Sequence, residues 1–424
     1  MPLGNLWHLF NLRESPYFQQ DLQASGKARY PIELFVGRER EAERLLAVIG
    51  GAPSSRQTVE GLPGFGKTTL AQYVKGRAAA AGYLSYPDPV SVAGIDTADT
   101  LLVRLLSYVY DAVASQVDHP VQKEEVVDVA RRLVLDTRVR DVKVAASVAG
   151  FGFDREVSVR TERAPFYSGL LTIPPLLRDL AAAVRDHGFD GIVVHMNNLE
   201  NLITDAQRTA AGAVMRDLRD VFLLNGYHFL LVGTPDAVRE IVSPHAQLRS
   251  VFGIGRPLEP LSGEAFQALL ARRYTHLRSD PDQEVRPPVA HDATRELYDA
   301  FRGDLRGTLR ALDAAAHELI GLTDPPGAPI EAPQLMAVLR PMLAAEAAAA
   351  LSGTLLEYFH KLRTLDGIFT QKDLMDRWKL SQGAVSQNLR ELQRLGYVQE
   401  ERREGRQVLY RLTGPSRLVL GMEG

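Results

Sequence analysis

The chain has no cysteine. Disulfides, thiolate zinc sites and cysteine nucleophiles are excluded together, and a reducing compartment is the default for such a sequence. Long hydrophobic runs are also missing. The longest apolar stretch free of Asp, Glu, Lys and Arg, Val221–Pro235, spans 15 residues and contains Asn225 and His228, short of the roughly 20 residues a membrane helix needs. Met1–Arg13 lacks the basic start and small-residue cleavage site of a secretion signal, so the expected location is cytoplasmic, away from membranes. Neither sign of charge dominates: 49 Lys and Arg against 52 Asp and Glu leave a formal −3. Contact with nucleic acid must therefore come from local basic patches, because the global field does not favour it. The 10 histidines include no H-E-x-x-H spacing, so the sequence offers no protein-built metal site.

What is present is an ordinary globular composition, 45% hydrophobic and 24% charged over 424 residues, which predicts two or three folded units. Residues 1–33, with Trp7, Phe10, Tyr17, Phe18 and Tyr30 at no clear period, read as an arm packed on a larger body. Phe35-Val36-Gly37-Arg38-Glu39 leads into an amphipathic helix carrying Ala42, Leu45, Leu46 and Ile49 on one face and ending at Gly50-Gly51. A strand over Gln57–Glu60, a glycine loop and a helix to about Ala80 follow. A second strand is expected around Tyr83–Val92 and a helix over Thr97–Val117.

Residues 118–165 have no obvious place in this series. Within them Val142–Val159 alternates and turns at Gly150-Phe151-Gly152, which predicts a β-hairpin flanked by Arg138, Arg140, Lys143, Arg155, Arg160 and Arg163. Nearby Asp136, Asp141, Asp154, Glu156 and Glu162 favour a solvated face over a second nucleic-acid contact. A helix over Leu176–His187, a buried strand Gly191–Met196, a helix over Ala206–Asn225 and a buried strand Tyr227–Val232 resume the alternation. Apolar strands between helices predict an α/β fold with a parallel sheet covered on both faces. Ser262–Leu322 reads as helical with a break near Pro287-Pro288, and Pro333–Ala350 as a connecting helix. The expected units are an arm (1–33), a core (34–261, with the insertion 118–165), a helical unit (262–330), a linker helix (331–350) and a C-terminal unit (351–424).

Gly61–Thr68 matches G-x-x-x-x-G-K-[ST] in full, between a strand and a helix. This is a P-loop: its glycines let backbone N–H groups turn toward a polyphosphate, Lys67 reaches the β- and γ-phosphates and Thr68 binds Mg²⁺. ATP and Mg²⁺ are the expected cofactors, with Gly61, Gly64, Phe65, Gly66, Lys67, Thr68 and Thr69 as candidate nucleotide ligands. Hydrolysis is a separate matter. A P-loop enzyme holds Mg²⁺ with an acid at the end of a neighbouring strand, and here that strand delivers Asn197 and Asn198. An asparagine neither offsets Mg²⁺ charge nor accepts a proton from water. Glu200 is a candidate substitute, or else simply a helix-starting glutamate. His195, on the same strand, reads as a satisfied core histidine.

Val36-Gly37-Arg38-Glu39, the P-loop, the strand ending in Asn197-Asn198, the strand ending at Gly233-Thr234, and Gly303-Asp304-Leu305-Arg306 in a helical lid together resemble an AAA+ ATPase. The chain is most similar to the replication-initiator branch, the origin-recognition ATPases, with the STAND signalling ATPases close behind. The resemblance covers roughly residues 33–322. It implies that Arg38 lies at the nucleotide, that Thr234 senses the γ-phosphate, that Arg306 contacts it from the lid and that Arg249 stands where a neighbour-reaching arginine finger is expected, so that the chain forms homo-oligomers. The asparagines depart from the family at its acidic pair, which makes ATPase turnover slow or absent.

The C-terminal segment reads as helices Leu355–Leu365, Gln371–Trp378 and Ser381–Leu395, then an alternating ribbon through Tyr397–Glu401 and Gln407–Leu412. Three helices and a β-wing make a winged helix-turn-helix. Leu395-Gly396-Tyr397-Val398, at the exit of the third helix, resembles the MarR type. In that geometry Ser381, Gln382, Ser386, Gln387 and Arg390 face the major groove, and Arg402, Arg403 and Arg406 at the wing tip suit phosphates or a minor groove. Residues 351–424 carry 12 Lys and Arg against 9 Asp and Glu, a net +3. Leu374, Leu389 and Leu392 are expected in the core, with Trp378 packed beside them.

Two functions follow as expectations. One is an ATP-regulated AAA+ protein that binds double-stranded DNA, as used in replication, transposition, transcription and defence. The alternative is a STAND-type scaffold in which ATP drives oligomerisation and the winged helix contacts a protein partner.

Overall fold

Capping chemistry and apolar runs place most of the elements where the sequence puts them. The first half of the chain forms α1 (Glu39–Gly50), β1 (Ser55–Glu60), α2 (Lys67–Ala80), β2 (Tyr83–Leu84), β3 (Val90–Ser91), α3 (Ala98–Ala114), α4 (125–135) and α5 (Gly169–Asp186). It continues with β4 (Gly191–Asn197), α6 (Asp205–Asp217), α7 (Arg219–Phe222), β5 (Tyr227–Gly233), α8 (Pro235–Val242) and α9 (Ala246–Arg249). The structure is a computed structural model describing residues 5–20, 22, 30–94, 96–135, 169–202, 204–253, 255–320, 327–365, 367–404 and 407–422. The hairpin expected at 142–159 with its basic flanks lies outside the described residues, as does Arg406. Of Glu200, Arg402 and Arg403 only the backbone is described.

The sheet is parallel throughout, in the order β1-β5-β4-β2, with β3 also pairing β4. Every residue of β4 and of β5 is buried, because successive side chains enter opposite faces and both faces are covered. Val193, Leu230 and Val232 join an apolar core shared with α1, α2 and the lid. Ile192, Val194, Met196, Phe229 and Leu231 join a second core shared with α3, α5, α6 and α8. Helix starts are fixed by side chains that accept orphan N–H groups: Thr97 at α3, Thr204 at α6 and Thr234 at α8. The P-loop strand carries one further parallel bridge, Gly61 to Leu258.

Two expectations change. The edge strand read at Tyr83–Val92 is split into β2 and β3, because Pro87 and Pro89 have no N–H to give a ladder. The freed carbonyls of Tyr86 and Pro87 accept instead from Lys75 Nζ (2.6 and 2.8 Å), and Pro87 also from Gln72 (2.8 Å). His195 is fully buried as expected but not satisfied, since neither ring nitrogen has a hydrogen-bond partner. Burial, and then the nearby Lys75 charge, hold it well below the ordinary histidine pKa, so it is neutral.

The lid is formed by α10 (Gly263–Leu277), α11 (His291–Ala300), α12 (Leu305–Leu319) and α13 (Ala332–Ala350). Helix α13, read as a linker, packs on α11 and α12 and buries Leu335, Met336 and Leu339 in the lid core. The arm also belongs here. Leu12 bridges Arg278, and Arg273 holds the arm by donating Nη1 to the carbonyls of Pro16 (3.1 Å) and Phe18 (2.7 Å). The Arg273 guanidinium lies 3.8 Å over the Phe18 ring, which stacks on Tyr30 from the other side.

The C-terminal unit comprises α14 (Gly353–Lys361), β6 (Ile368–Thr370), α15 (Gln371–Trp378), α16 (Gln382–Arg394), β7 (Val398–Glu404), β8 (Gln407–Leu412) and α17 (Gly414–Val419). The wing is an antiparallel sheet in the order β6-β8-β7, with a bulge between Glu400 and Arg402. Leu374, Leu389 and Leu392 are buried in a separate core around Phe359, and Trp378 packs edge-on against Tyr358. Among the described residues no helix is long and apolar enough to cross a membrane.

Candidate functional site

Between β1 and α2 the chain must reverse tightly, and two glycines in the left-handed region make this possible: Gly64 (φ 81°) and Gly66 (φ 78°). Gly66 is the N-cap of α2, so the first N–H groups of that helix open into the loop. Lys67 is buried and donates Nζ to the loop's own Leu62 carbonyl at 3.1 Å. Phe65, at the tip, is held from outside: its carbonyl accepts from Arg38 Nη2 (3.0 Å), and the same nitrogen reaches the Glu259 carbonyl (2.5 Å). Burial lowers the Arg38 pKa, against the raising effect of Glu41.

The loop opens on a cavity of about 260 Å³. Its phosphate end is walled by Gly64, Gly66, Lys67, Thr68 and Thr69 with Arg38, and its far wall is the start of α12, where Arg306 faces in. Its apolar end is built from Leu34, Phe35, Val36, Leu269 and Leu309, with Gln19, Gln20 and Leu22 of the arm closing it. A cradle of N–H groups and three basic side chains at one end and an apolar slot at the other fit a nucleotide with its phosphates on the loop and its base on the arm side. Thr68 lines the same end of the cavity. No carboxylate lines the cavity among the described side chains.

The structure brings the P-loop, Arg38 and Arg306 together and leaves other expected residues outside. Thr234 does not line the cavity; its hydroxyl accepts from Ala237 N (3.3 Å) as the cap of α8. Asn197 Oδ1 accepts from Asn198 N (2.7 Å), and Asn198, in the left-handed region at φ 72°, donates Nδ2 to Ser91 Oγ (2.9 Å). Both amides are thus engaged with their own strand end and the edge strand. Asn201, three residues on, does line the cavity. Arg249 is exposed and donates to the Ser243 carbonyl (2.8 Å), away from the pocket. Sequence reasoning missed the arm glutamines and Asp304. The arm has no period to read, and Asp304 looks like an ordinary helix cap. It does cap α12, accepting from Gly307 N (3.0 Å), yet it also presses on Gly64, where an added Cβ would stand 1.9 Å from Asp304 Oδ1. Burial raises its pKa, opposed by the N–H of Gly307 and the charge of Arg306.

On the third helix of the winged unit, Ser381, Gln382, Gln387 and Arg390 are exposed and Ser386 is half-buried. Ser381 also caps α16 through Ala384 N (3.3 Å).

Residues 361–407 match the MarR family. No curated protein matches the chain. Among solved structures it is similar to the Aeropyrum pernix ORC1 protein in complex with DNA, with 14% identity, a TM-score of 0.43 and coverage of 91% of this chain and 92% of that one. It is also similar to the Aeropyrum pernix ORC2 protein in ADPNP–ADP complexes (15%, TM-score 0.44, coverage 95% and 95%). A third similar structure is the Walker-type ATPase paby2304 of Pyrococcus abyssi (10%, TM-score 0.46, coverage 96% and 99%). The likeness in shape is distant, and the nucleotide site stands on the loop, lid and arm geometry.

Proposed function

We propose that the chain is a nucleotide-regulated, AAA+-type protein that binds duplex DNA through its winged helix. The observation that carries this reading is one cavity lined by the P-loop on the sheet and by Arg306 on the lid, in a molecule whose third winged-helix helix keeps its polar start exposed. A group bound there touches two bodies at once, which is what a bound nucleotide needs to shift the balance between two arrangements. Lys67, Thr68 and the loop N–H groups would hold the phosphates of ATP, with Mg²⁺ at Thr68; the bound nucleotide supplies charge on which the loop and lid converge. Ser381, Gln382, Ser386, Gln387 and Arg390 would read the major groove and Arg402, Arg403 and Arg406 the backbone.

Turnover is slow or absent in this reading, because the amides of Asn197 and Asn198 are engaged elsewhere and neither carries charge. ATP binding by Lys67→Ala, measured calorimetrically, should fall at least about 100-fold, the scale of a lost charged phosphate contact. Unchanged affinity would remove the nucleotide from the account. A chain that binds ATP but no DNA at any salt would instead support the signalling scaffold, with the winged helix as a protein-contact unit.

A further inference from the structure

The winged helix does not hang from the body on a free linker. Helix α17 lies against α11, α12 and α13, and Leu418 is buried in the same apolar core as Phe301, Leu309 and Leu312 of the lid. Gly414 is so close to the lid that an added Cβ would stand 2.7 Å from the Phe301 Cα, a backbone atom that cannot swing aside. On its other side, strand β7 of the wing meets α8, the helix that Thr234 caps. The winged unit is therefore seated on the lid through α17 and on α8 of the sheet body through β7.

One residue of the wing goes further. Arg411, on β8, is buried (7% exposed), and its guanidinium lies 5.9 Å from the centre of the Phe65 ring at the tip of the P-loop. Its Nε is paired with Glu401 on the neighbouring wing strand at 2.8 Å. Burial lowers the Arg411 pKa, with Glu401 and Asp304, the lid carboxylate pressed on Gly64, favouring its charge and Arg302 and Arg417 opposing it. Phe65 thus lines the nucleotide cavity, offers its carbonyl to Arg38 and lies under a wing arginine. A P-loop that rearranges around phosphates must carry Phe65 with it, because the residue sits between the two glycines that form the cradle.

We propose that Arg411 is a positioning residue that ties the seat of the wing to the occupancy of the P-loop, through Phe65 and Asp304, so that nucleotide binding and wing placement form one equilibrium. The proposal rests on nucleotide binding at the P-loop. It adds a coupling element on the DNA-binding unit itself, with the Glu401–Arg411 pair keeping the guanidinium aimed at the loop. Linkage then works in both directions: a nucleotide shifts the wing, and a displaced wing changes nucleotide affinity by the same factor.

The chain's lack of cysteine allows a direct test. Spin labels at Lys372→Cys on α15 and Gln247→Cys on α9, both exposed positions, report the distance between winged helix and body by pulsed dipolar spectroscopy, without nucleotide and with saturating ATP and Mg²⁺. In the otherwise wild-type chain the distance distribution should shift on adding ATP. With Arg411→Gln the two distributions should coincide, and Glu401→Gln, which leaves the arginine in place but loosely aimed, should give a reduced shift. A second readout is the ratio of duplex-DNA affinities with and without ATP. It should be at least about 5-fold from unity in the wild type, the usual lower range of coupling, and within about 2-fold of unity in Arg411→Gln. A wild-type distribution unmoved by saturating ATP, or an Arg411→Gln variant that keeps the full shift, overturns the proposal. Absence of ATP binding in a calorimetric titration would instead count against the function proposed above, and absence of DNA binding would leave the distance test decisive for the wing.

Discussion

Lys75 illustrates how a residue beside the site can carry a measurable charge effect. It is buried under the sheet, and burial pushes its pKa down to about 7, with a small opposing effect from Asp88. In the unfolded chain the group stays protonated to about pH 10.4. The unfolded state therefore binds more protons between about pH 7 and pH 10, and stability from this group rises with pH across that window; below it both states are protonated and the contribution is flat. The stability of wild type relative to Lys75→Met should accordingly grow from pH 7 to pH 9, by up to about 1.4 kcal/mol per unit, when unfolding is followed in urea. Parallel pH profiles would mean that burial does not lower the Lys75 pKa. Arg273 is a second buried cation, with its donors engaged on the arm. Arg273→Ala should cost about 2–3 kcal/mol of stability, the range for hydrogen bonds from a charged group, and should also weaken ATP binding, because the arm closes the cavity. Calorimetry and thermal unfolding on the same samples check both effects.

At the level of elements, caps and apolar runs made much of the fold legible. The P-loop was readable because strand, glycines, lysine and helix are contiguous, and β4 and β5 because double burial demands unbroken apolar runs. The edge strand was not, since the run reads straight through Pro87 and Pro89, whose missing N–H groups break the ladder and leave carbonyls for Lys75 and Gln72 to take up. Nor was the start of α5, where Pro174 and Pro175 lie inside the helix instead of before it. The wing's third strand, β6, spans only Ile368–Thr370, too short for a period to show. The basic end of the cavity was foreseen through Arg38, Lys67 and Arg306, whereas Gln19, Gln20 and Leu22, which close its apolar end, come from an arm with no pattern of its own. The structure also separates two readings of Thr234. As the cap of α8, Thr234→Ala should lower stability by about 1 kcal/mol while Thr234→Ser retains it. Ground-state ATP affinity should be the same in both variants, because the hydroxyl does not line the cavity; thermal unfolding alongside an ATP titration distinguishes cap from ligand.

For the whole molecule the decisive feature is that P-loop, lid and arm meet around one cavity while the winged helix packs on the lid and on α8. The formal charge of −3 gives no long-range pull toward DNA, so the proposed binding would come from the few basic residues of the winged helix and would weaken with salt. Each phosphate contact contributes close to one unit to the slope of log affinity against log salt, and the Arg402→Ala, Arg403→Ala double variant should lower that slope by about 2. The most direct test of the account is fluorescence anisotropy of a labelled random-sequence duplex at two salt concentrations, without nucleotide, with ADP, and with ATP plus Mg²⁺. The account predicts salt-dependent binding whose affinity changes at least about 5-fold with the bound nucleotide. Binding that is the same in all three nucleotide conditions, or no binding by a chain shown to hold ATP, would contradict it.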